Sequence, residues 1–272
     1  MSALERWARE LAGWGIPDEI LAAAPESPWV FPAELFRVRA ERAVAREPTA
    51  STRRALEALP EGGSVLDVGV GGGAASLPLA ERASLLVGVD TSADMLSVFA
   101  EGARARGMQP MTVEGAWPDV ASEVTETDVV VCHHVLYNVQ DLEPFVRALD
   151  SHARSRIVTE ITATHPLAWM SGLWKRFHGL ERHEGPIADD ALEALRELGL
   201  EVRRDVEQRT PLSSGFERRE DAVGLVRRRL CLPVQRDAEI AEALGPQLVK
   251  SEGLWSAGPP EQPLVTLWWD RA

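Results

Sequence analysis

The sequence predicts an α/β fold in which a doubly wound, mostly parallel sheet is covered by helices on both faces. Two observations carry this prediction. Between residues 64 and 161, short apolar runs alternate with helical segments, which is the pattern of parallel strands joined by crossover helices. Near the end of the chain, "PLVTLWWD" (263–270) has the composition of one more strand. We therefore expect a single large sheet that is completed by the end of the chain.

From residue 64 to residue 270, hydrophobic periodicity predicts seven strands and six helices. Strands are predicted at 64–69, 85–90, 111–115, 128–133, 156–161, 200–209 and 263–270. Helices are predicted at 74–82, 92–106, 142–152, 188–198, 218–232 and 237–244.

The first 60 residues are helical in character. Leu4, Trp7 and Leu11 recur at helical spacing, and further helices are predicted at 33–46 and 51–59. We expect an N-terminal helical cap over residues 1–60 and a Rossmann-like domain over residues 61–272. Insertions are expected at about 163–187, which includes a tryptophan-rich lid helix, and at about 209–262.

The composition of the chain disfavours several classes of function. The net charge of −13 over 272 residues disfavours binding of a polyanion, so no nucleic-acid partner is expected. The two cysteines, Cys132 and Cys231, have neither a disulfide pattern nor metal-ligand spacing, so no metal is expected and a reducing compartment fits. No continuous apolar stretch resembles a signal peptide or a membrane span. The sequence thus predicts a cytoplasmic protein without a membrane partner.

The stretch "GVGGGA" (69–74) predicts a ligand-binding turn between a strand and a helix. Gly69 and Gly71 permit backbone torsions that other residues avoid, and a helix beginning near Ala74 would direct its N–H groups towards an anion. The run satisfies the dinucleotide fingerprint, and Asp90 lies about 20 residues further on, where a ribose-binding acid is expected. Both a nicotinamide dinucleotide and S-adenosylmethionine fit this pattern.

Asp67 discriminates between these two cofactors. It lies two positions before the first glycine, where a carboxylate would repel a pyrophosphate by roughly 4 kcal/mol at 4 Å and an effective dielectric near 20. The same carboxylate attracts the ammonium and sulfonium groups of S-adenosylmethionine. Asp67 therefore favours S-adenosylmethionine as the cofactor.

Two motifs carry a resemblance to a known family. "VLDVGVGGG" (65–73) and "GVDTSADML" (88–96) resemble the first and second motifs of class I S-adenosylmethionine-dependent methyltransferases. The resemblance implies the class I methyltransferase fold, with Asp90 binding the ribose hydroxyls and Met95 flanking the adenine. The predicted cofactor-binding residues are Asp67, Gly69, Gly71, Gly73, Asp90, Thr91, Met95, Ala116, Trp117 and His133.

The third motif departs from the family pattern. In "VEGAWPDV" (113–120), Ala116 stands where the family usually carries an acid that accepts from the adenine amino group. We expect the Ala116 backbone to supply the hydrogen bond and the Trp117 indole to pack on the adenine ring. A core-packing role for Trp117 is the alternative interpretation.

The catalytic candidates lie in "VVVCHHVLYNVQD" (129–141), where the family's fourth strand ends beside the transferable methyl group. His133 and His134 are candidate general bases because histidine titrates near physiological pH, and Tyr137 is a candidate substrate contact. The adjacent histidines point in different directions, so we expect at most one to face the methyl group. Cofactor contact or structural hydrogen bonding is the alternative for both.

We therefore predict an S-adenosylmethionine-dependent methyltransferase that acts on a small-molecule acceptor and releases S-adenosylhomocysteine. A tryptophan-containing stripe at 165–179 is expected to be core or a lid, and the three arginines at 227–229 a solvated face or an anion clamp. Two alternatives stay open: an NAD-dependent oxidoreductase, and a non-catalytic S-adenosylmethionine-binding protein.

Overall fold

The computed structural model describes residues 1–29, 32–209, 215–251, 253–259 and 261–271. Within these ranges the chain forms a seven-stranded sheet of order β3-β2-β1-β4-β5-β9-β6 and a separate hairpin, β7-β8. The strands are β1 (Gly63–Val68), β2 (Ala83–Asp90), β3 (Met111–Glu114), β4 (Thr127–His133), β5 (Ala153–Thr162), β6 (Arg203–Arg209), β7 (Leu248–Ser251), β8 (Leu254–Ala257) and β9 (Gln262–Asp270). Only β9 runs antiparallel to its neighbours in the large sheet. The predicted fold class is confirmed.

Ten α-helices lie in the described residues. They are α1 (Ala3–Ala12), α2 (Asp18–Ala23), α3 (Ala33–Ala45), α4 (Ala50–Ala58), α5 (Ala93–Arg104), α6 (Leu142–Ser151), α7 (Ser171–His178), α8 (Ala188–Glu197), α9 (Arg219–Arg229) and α10 (Asp237–Leu244). The sequence predicted most of them to within two or three residues but missed α2 and the β7-β8 hairpin. The lid helix predicted over 166–177 begins as a 3₁₀ turn and becomes α7 at Ser171.

The two faces of the sheet carry separate apolar cores because side chains alternate along each strand. Leu66, Val130 and Ile157 face a core that includes residues of α1, α6 and α8. Val65 and Val131 face the opposite core, to which α3, α4 and α5 contribute. The register pairs Asp67 with Val131 and His133 with Glu160, which places Asp67, His133 and Glu160 on this second face.

The N-terminal helices are distributed over the molecule. α1 packs against α8 and α6, α3 packs against α5, and α4 packs against β5. The apolar side chains of α2 join a third core formed with α7, α9 and α10. The predicted division into a cap over 1–60 and a domain over 61–272 stays a prediction, although this packing ties the first 60 residues to both faces of the sheet.

The buried residues of the third core come from the two predicted insertions. Met170, Leu173 and Trp174 of the tryptophan-containing stripe are buried in it, which favours the core interpretation of that stripe. The arginine run is not a uniformly solvated face. Arg227 is buried and forms ion pairs with Glu26 at 2.7 Å and with Asp237 at 3.0 Å.

One predicted helix is wrong. Residues 74–82 form turns and a short 3₁₀ segment, Leu77–Leu79, rather than an α-helix. Pro78 explains the difference, because it has no N–H to donate to the carbonyl of Ala74. The glycine turn therefore lacks the helix N-terminus that was expected to bind an anion there.

Candidate active site

The glycine loop is fixed at the carboxyl end of β1 by backbone hydrogen bonds. The N–H groups of Gly69 and Val70 both donate to the Val89 carbonyl, at 2.8 and 3.0 Å. Gly69, Gly71 and Gly73 all have positive φ angles, of 72°, 49° and 86°, a region that other residues rarely occupy. The predicted need for glycine at these positions is therefore met by the backbone conformation itself.

Asp90 ends β2 and connects the loop to the next helix. Its Oδ2 accepts from the Gly71 N–H at 2.9 Å, and its Oδ1 accepts from the Ser92 N–H at 3.0 Å. Each carboxylate oxygen has two lone pairs, so both oxygens retain capacity to accept a further hydrogen bond. A carboxylate oriented in this way can bind a pair of neighbouring hydroxyl groups.

The third motif also lies close to Asp90. The Gly115 N–H donates to the Asp90 carbonyl at 2.9 Å, so Ala116 follows directly at this edge of the sheet and is exposed. Thr91 is exposed beside Asp90, and Met95 is half-buried in the first turn of α5. The structure therefore brings the predicted ribose and adenine contacts together around Asp90.

Asp67 lies beneath the loop rather than at its surface. It is only 1% exposed, and its Oδ2 accepts from the Ser76 hydroxyl at 2.6 Å. Burial raises the pKa of Asp67 to about 7, the nearby charge of Asp90 adds to this, and the Ser76 hydrogen bonds oppose it. The predicted contact of Asp67 with the cofactor stays a prediction, and a cation above the loop would favour its ionised form.

The segment after β4 packs against the glycine loop. A Cβ atom on Gly69 would overlap the Val135 side chain, so this segment and the loop are in direct contact. His133 precedes it, and its Nε2 is buried without a hydrogen-bond partner. Burial lowers the pKa of His133 to about 4, although Glu160 opposes that shift, so its imidazole is neutral at physiological pH.

His134 differs from His133 in exposure and in partners. Its side chain is 53% exposed, and its Nε2 lies 3.3 Å from Oε1 of Glu160. Its backbone has φ +60°, and its N–H donates to the Glu160 carbonyl at 2.6 Å. Of the two predicted bases, His134 is therefore the accessible one.

Glu160 of β5 was not predicted as a site residue. It is 5% exposed, and its Oε2 accepts from the Ser51 hydroxyl of α4 at 2.6 Å. Burial alone would raise the pKa of Glu160, but the interactions with the imidazoles of His133 and His134 and the hydrogen bond from Ser51 outweigh it and lower the pKa to about 2. The single acid in the apolar run "RIVTEI" was the sequence signal that could have identified it.

Two predicted residues turn into the core. The Tyr137 hydroxyl donates to the Thr162 carbonyl at 2.9 Å, and its ring stacks on Trp7 at 5.5 Å. The Trp117 indole N–H donates to the Phe145 carbonyl at 3.3 Å, and its ring meets His152 edge-on. These contacts favour a packing role for both, and their predicted contacts with substrate and adenine stay predictions.

The loop, the acid at the end of β2 and the segment after β4 match a known family. Residues 66–155 match the model described as "Methyltransferase domain". This segment is a class I methyltransferase domain. The match confirms the family predicted from the two motifs, and with it the choice of S-adenosylmethionine over a dinucleotide as the family's cofactor.

Comparison with individual proteins gives distant relatives. The chain is 30% identical to an uncharacterized protein of Haemophilus influenzae over 123 residues, which are 44% of this chain and 46% of that protein. It is 26% identical to a ubiquinone biosynthesis O-methyltransferase of Rhizobium rhizogenes over 159 residues, 52% of this chain and 64% of the relative. The aligned regions thus span about half to two thirds of these relatives.

A solved structure supports the fold. A putative methyltransferase of Bacillus halodurans superimposes with a TM-score of 0.54 at 16% identity, over 82% of this chain and 99% of that one. At this identity the comparison supports the architecture of the sheet and its helices rather than a shared substrate.

None of the helices in the described part of the chain is long and apolar enough to cross a membrane. Among the residues that the structure describes, no group of three or more histidine, cysteine, aspartate or glutamate side chains is arranged to hold a metal ion.

Proposed function

We propose that the chain transfers a methyl group from S-adenosylmethionine to a small-molecule acceptor and releases S-adenosylhomocysteine. The observation that carries the proposal is the arrangement around Asp90. Its carboxylate is oriented by the Gly71 and Ser92 N–H groups at the edge where the loop, the third motif and the segment after β4 meet.

The chemistry of these residues fits the cofactor. We assign the ribose hydroxyls to Asp90, and the adenine to Thr91, Met95 and the Ala116 backbone. Gly69 and Gly71 have no side chains, so the loop packs directly on Val135 and Phe36, and we assign the methionine part of the cofactor to the backbone of this loop. The buried charge of Asp67 favours a cationic ligand and disfavours a pyrophosphate.

When bound, S-adenosylmethionine supplies an activated methyl group, so the chain needs to orient the acceptor, exclude water and remove a proton. We assign proton removal to His134, because it is exposed at this edge and its Nε2 lies 3.3 Å from an ionised carboxylate. The Nε2 atom of His133 is buried and its imidazole is neutral, and we assign it a cofactor or packing contact.

The acceptor is proposed to be a small molecule. The net charge of −13 disfavours a nucleic acid, and one relative is a ubiquinone biosynthesis O-methyltransferase, whose name describes methyl transfer to oxygen. Both cysteines, Cys132 and Cys231, are free and buried, which supports a cytoplasmic location.

Calorimetric titration tests the cofactor assignment. We expect S-adenosylhomocysteine to bind, NADH not to bind, and Asp90→Ala to lose at least tenfold in affinity because the ribose hydroxyls lose their acceptor. Asp119→Asn, which changes an exposed carboxylate of the third motif that is assigned no cofactor contact, is the matched control. Binding of NADH alone would overturn the proposal. Binding of S-adenosylmethionine without turnover across a panel of hydroxyl, thiol and amine acceptors would favour the non-catalytic alternative.

A further inference from the structure

His134 is held by one residue at two points. Its backbone N–H donates to the Glu160 carbonyl at 2.6 Å, and its imidazole Nε2 lies 3.3 Å from the Glu160 carboxylate. The left-handed backbone at His134, with φ +60°, is uncommon for a residue with a side chain. Such a conformation persists where surrounding contacts enforce it, and here both contacts come from Glu160.

Glu160 is itself held by a hydrogen bond from helix α4. Its second carboxylate oxygen accepts from the Ser51 hydroxyl on α4 at 2.6 Å. The groups that face the carboxylate are His133 at the end of β4, His134 directly after it, and the Ser51 hydroxyl from α4, while β9 contributes Thr266 as the register partner. The titratable neighbours of the carboxylate are therefore both imidazoles, and a proton on either one favours the ionised carboxylate.

An ionised carboxylate accepts hydrogen bonds and donates none, so the imidazole nitrogen that faces it carries the proton. The Glu160 carboxylate, 3.3 Å from Nε2, thus favours the Nε2–H tautomer of neutral His134. The lone pair is then on Nδ1, the nitrogen that does not face Glu160. A histidine oriented in this way has one defined basic atom.

We propose that Glu160, supported by Ser51, is the positioning residue that makes Nδ1 of His134 the general base of this site. This inference rests on the proposed methyltransferase function. It also defines the acceptor class, a molecule whose nucleophilic atom carries a removable proton, such as a phenolic hydroxyl or a thiol.

The proton and electron balance of the step is complete. The acceptor's O–H or S–H bond breaks, its proton forms a bond to Nδ1, and the freed electron pair forms the new bond to the methyl carbon. The pair of the old carbon–sulfur bond stays on sulfur. The imidazolium that results carries a positive charge, which the Glu160 carboxylate stabilises at Nε2.

Nitrogen NMR of the ring tests the tautomer without any acceptor. Long-range proton–nitrogen spectra of histidine-labelled protein near pH 8 separate the Nε2–H and Nδ1–H tautomers, and His134→Gln assigns the signal. We expect the Nε2–H form alone in the wild type and in Glu143→Gln, an exposed glutamate on α6 that serves as the matched control. In Glu160→Gln we expect a mixture of tautomers, and in Ser51→Ala a smaller change in the same direction. A wild-type Nδ1–H tautomer, or spectra that Glu160→Gln does not change, would overturn the proposal.

Kinetics with an acceptor found by screening separate positioning from structural support. Removing a positioned base typically costs 10²–10⁴ in rate, so we expect Glu160→Gln to lower kcat by about 10²-fold. Affinity for S-adenosylhomocysteine should stay within twofold, and Glu160→Asp should recover part of the rate. An unchanged kcat and pH profile in folded Glu160→Gln would overturn the positioning role. Failure of the wild type to bind S-adenosylhomocysteine would instead overturn the proposed function, because the tautomer is read without cofactor.

Discussion

Replacing Asp67 by asparagine should make the free energy of unfolding less dependent on pH. The wild-type carboxyl has a pKa raised to about 7 in the folded protein by burial, whereas its usual value is 3.8. Between these values the folded state holds a proton that the unfolded state has released. The wild type therefore loses stability as pH rises towards 7, because the folded protein must then bury a charge.

The magnitude follows from the size of the pKa difference. Each pH unit in this window changes the free energy of unfolding by about 1.4 kcal/mol, so the window from pH 5 to pH 8, which ends above the folded pKa, contributes about 3 kcal/mol. Asparagine does not titrate, so it makes no such pH-dependent contribution to the free energy of unfolding. Its side-chain oxygen can still accept a hydrogen bond from the Ser76 hydroxyl. We expect Asp67→Asn to gain about 3 kcal/mol relative to wild type between pH 5 and pH 8.

Urea unfolding at half-unit pH steps measures this difference directly. Asp119→Asn is the control, because it removes an exposed carboxylate and should leave the pH dependence of unfolding parallel to that of the wild type. Parallel curves for wild type and Asp67→Asn across pH 5–8 would refute the reasoning, since they would mean that Asp67 is ionised in both states.

Two further substitutions test packing by urea unfolding. Gly69→Ala should lower the free energy of unfolding by about 1–3 kcal/mol, because φ is +72° and the new methyl group would overlap Val135. Adding Val135→Ala should recover part of that loss if the overlap is its cause, and no recovery would assign the loss to the backbone alone. Arg227→Met should cost about 2 kcal/mol, because it leaves Glu26 and Asp237, both partly exposed, without their buried partner. A change below 0.5 kcal/mol would show that these ion pairs do not stabilise the third core.

The sequence was sufficient to predict the sheet because its strands are short, apolar and separated by helical segments. The same reasoning wrongly predicted an α-helix after the glycine loop, because residues 74–82 have the composition of a helix. Pro78 removes a donor in the middle of that segment, and only the short 3₁₀ turn Leu77–Leu79 forms. The β7-β8 hairpin was missed because its strands have four residues each, which is too short for an alternating pattern to be distinguished.

Some residues of the site could be predicted from local sequence patterns, whereas others depend on contacts between distant parts of the chain. Gly69, Gly71 and Asp90 were predicted because their roles depend on backbone conformation and on spacing within one strand–loop–strand unit. Glu160 and Ser51 were not predicted, since they are 109 positions apart in the sequence and meet only when α4 packs on β5. Periodicity reports which face of an element is buried, and it does not report which buried polar group finds a partner.

Asp67 and Glu160 show how partners, rather than burial, decide the charge of a carboxylate. Both are buried on the same face of the sheet, on the strands that flank β4. Glu160 faces two imidazoles and a hydroxyl, which hold it ionised, whereas Asp67 has a hydroxyl and the like charge of Asp90, so burial raises its pKa. A cationic ligand above the glycine loop would supply the partner that Asp67 lacks and shift it towards the ionised form. Binding of S-adenosylmethionine should therefore release a proton near pH 6–7, and this release should be absent in Asp67→Asn when calorimetry is repeated in buffers of different ionisation enthalpy.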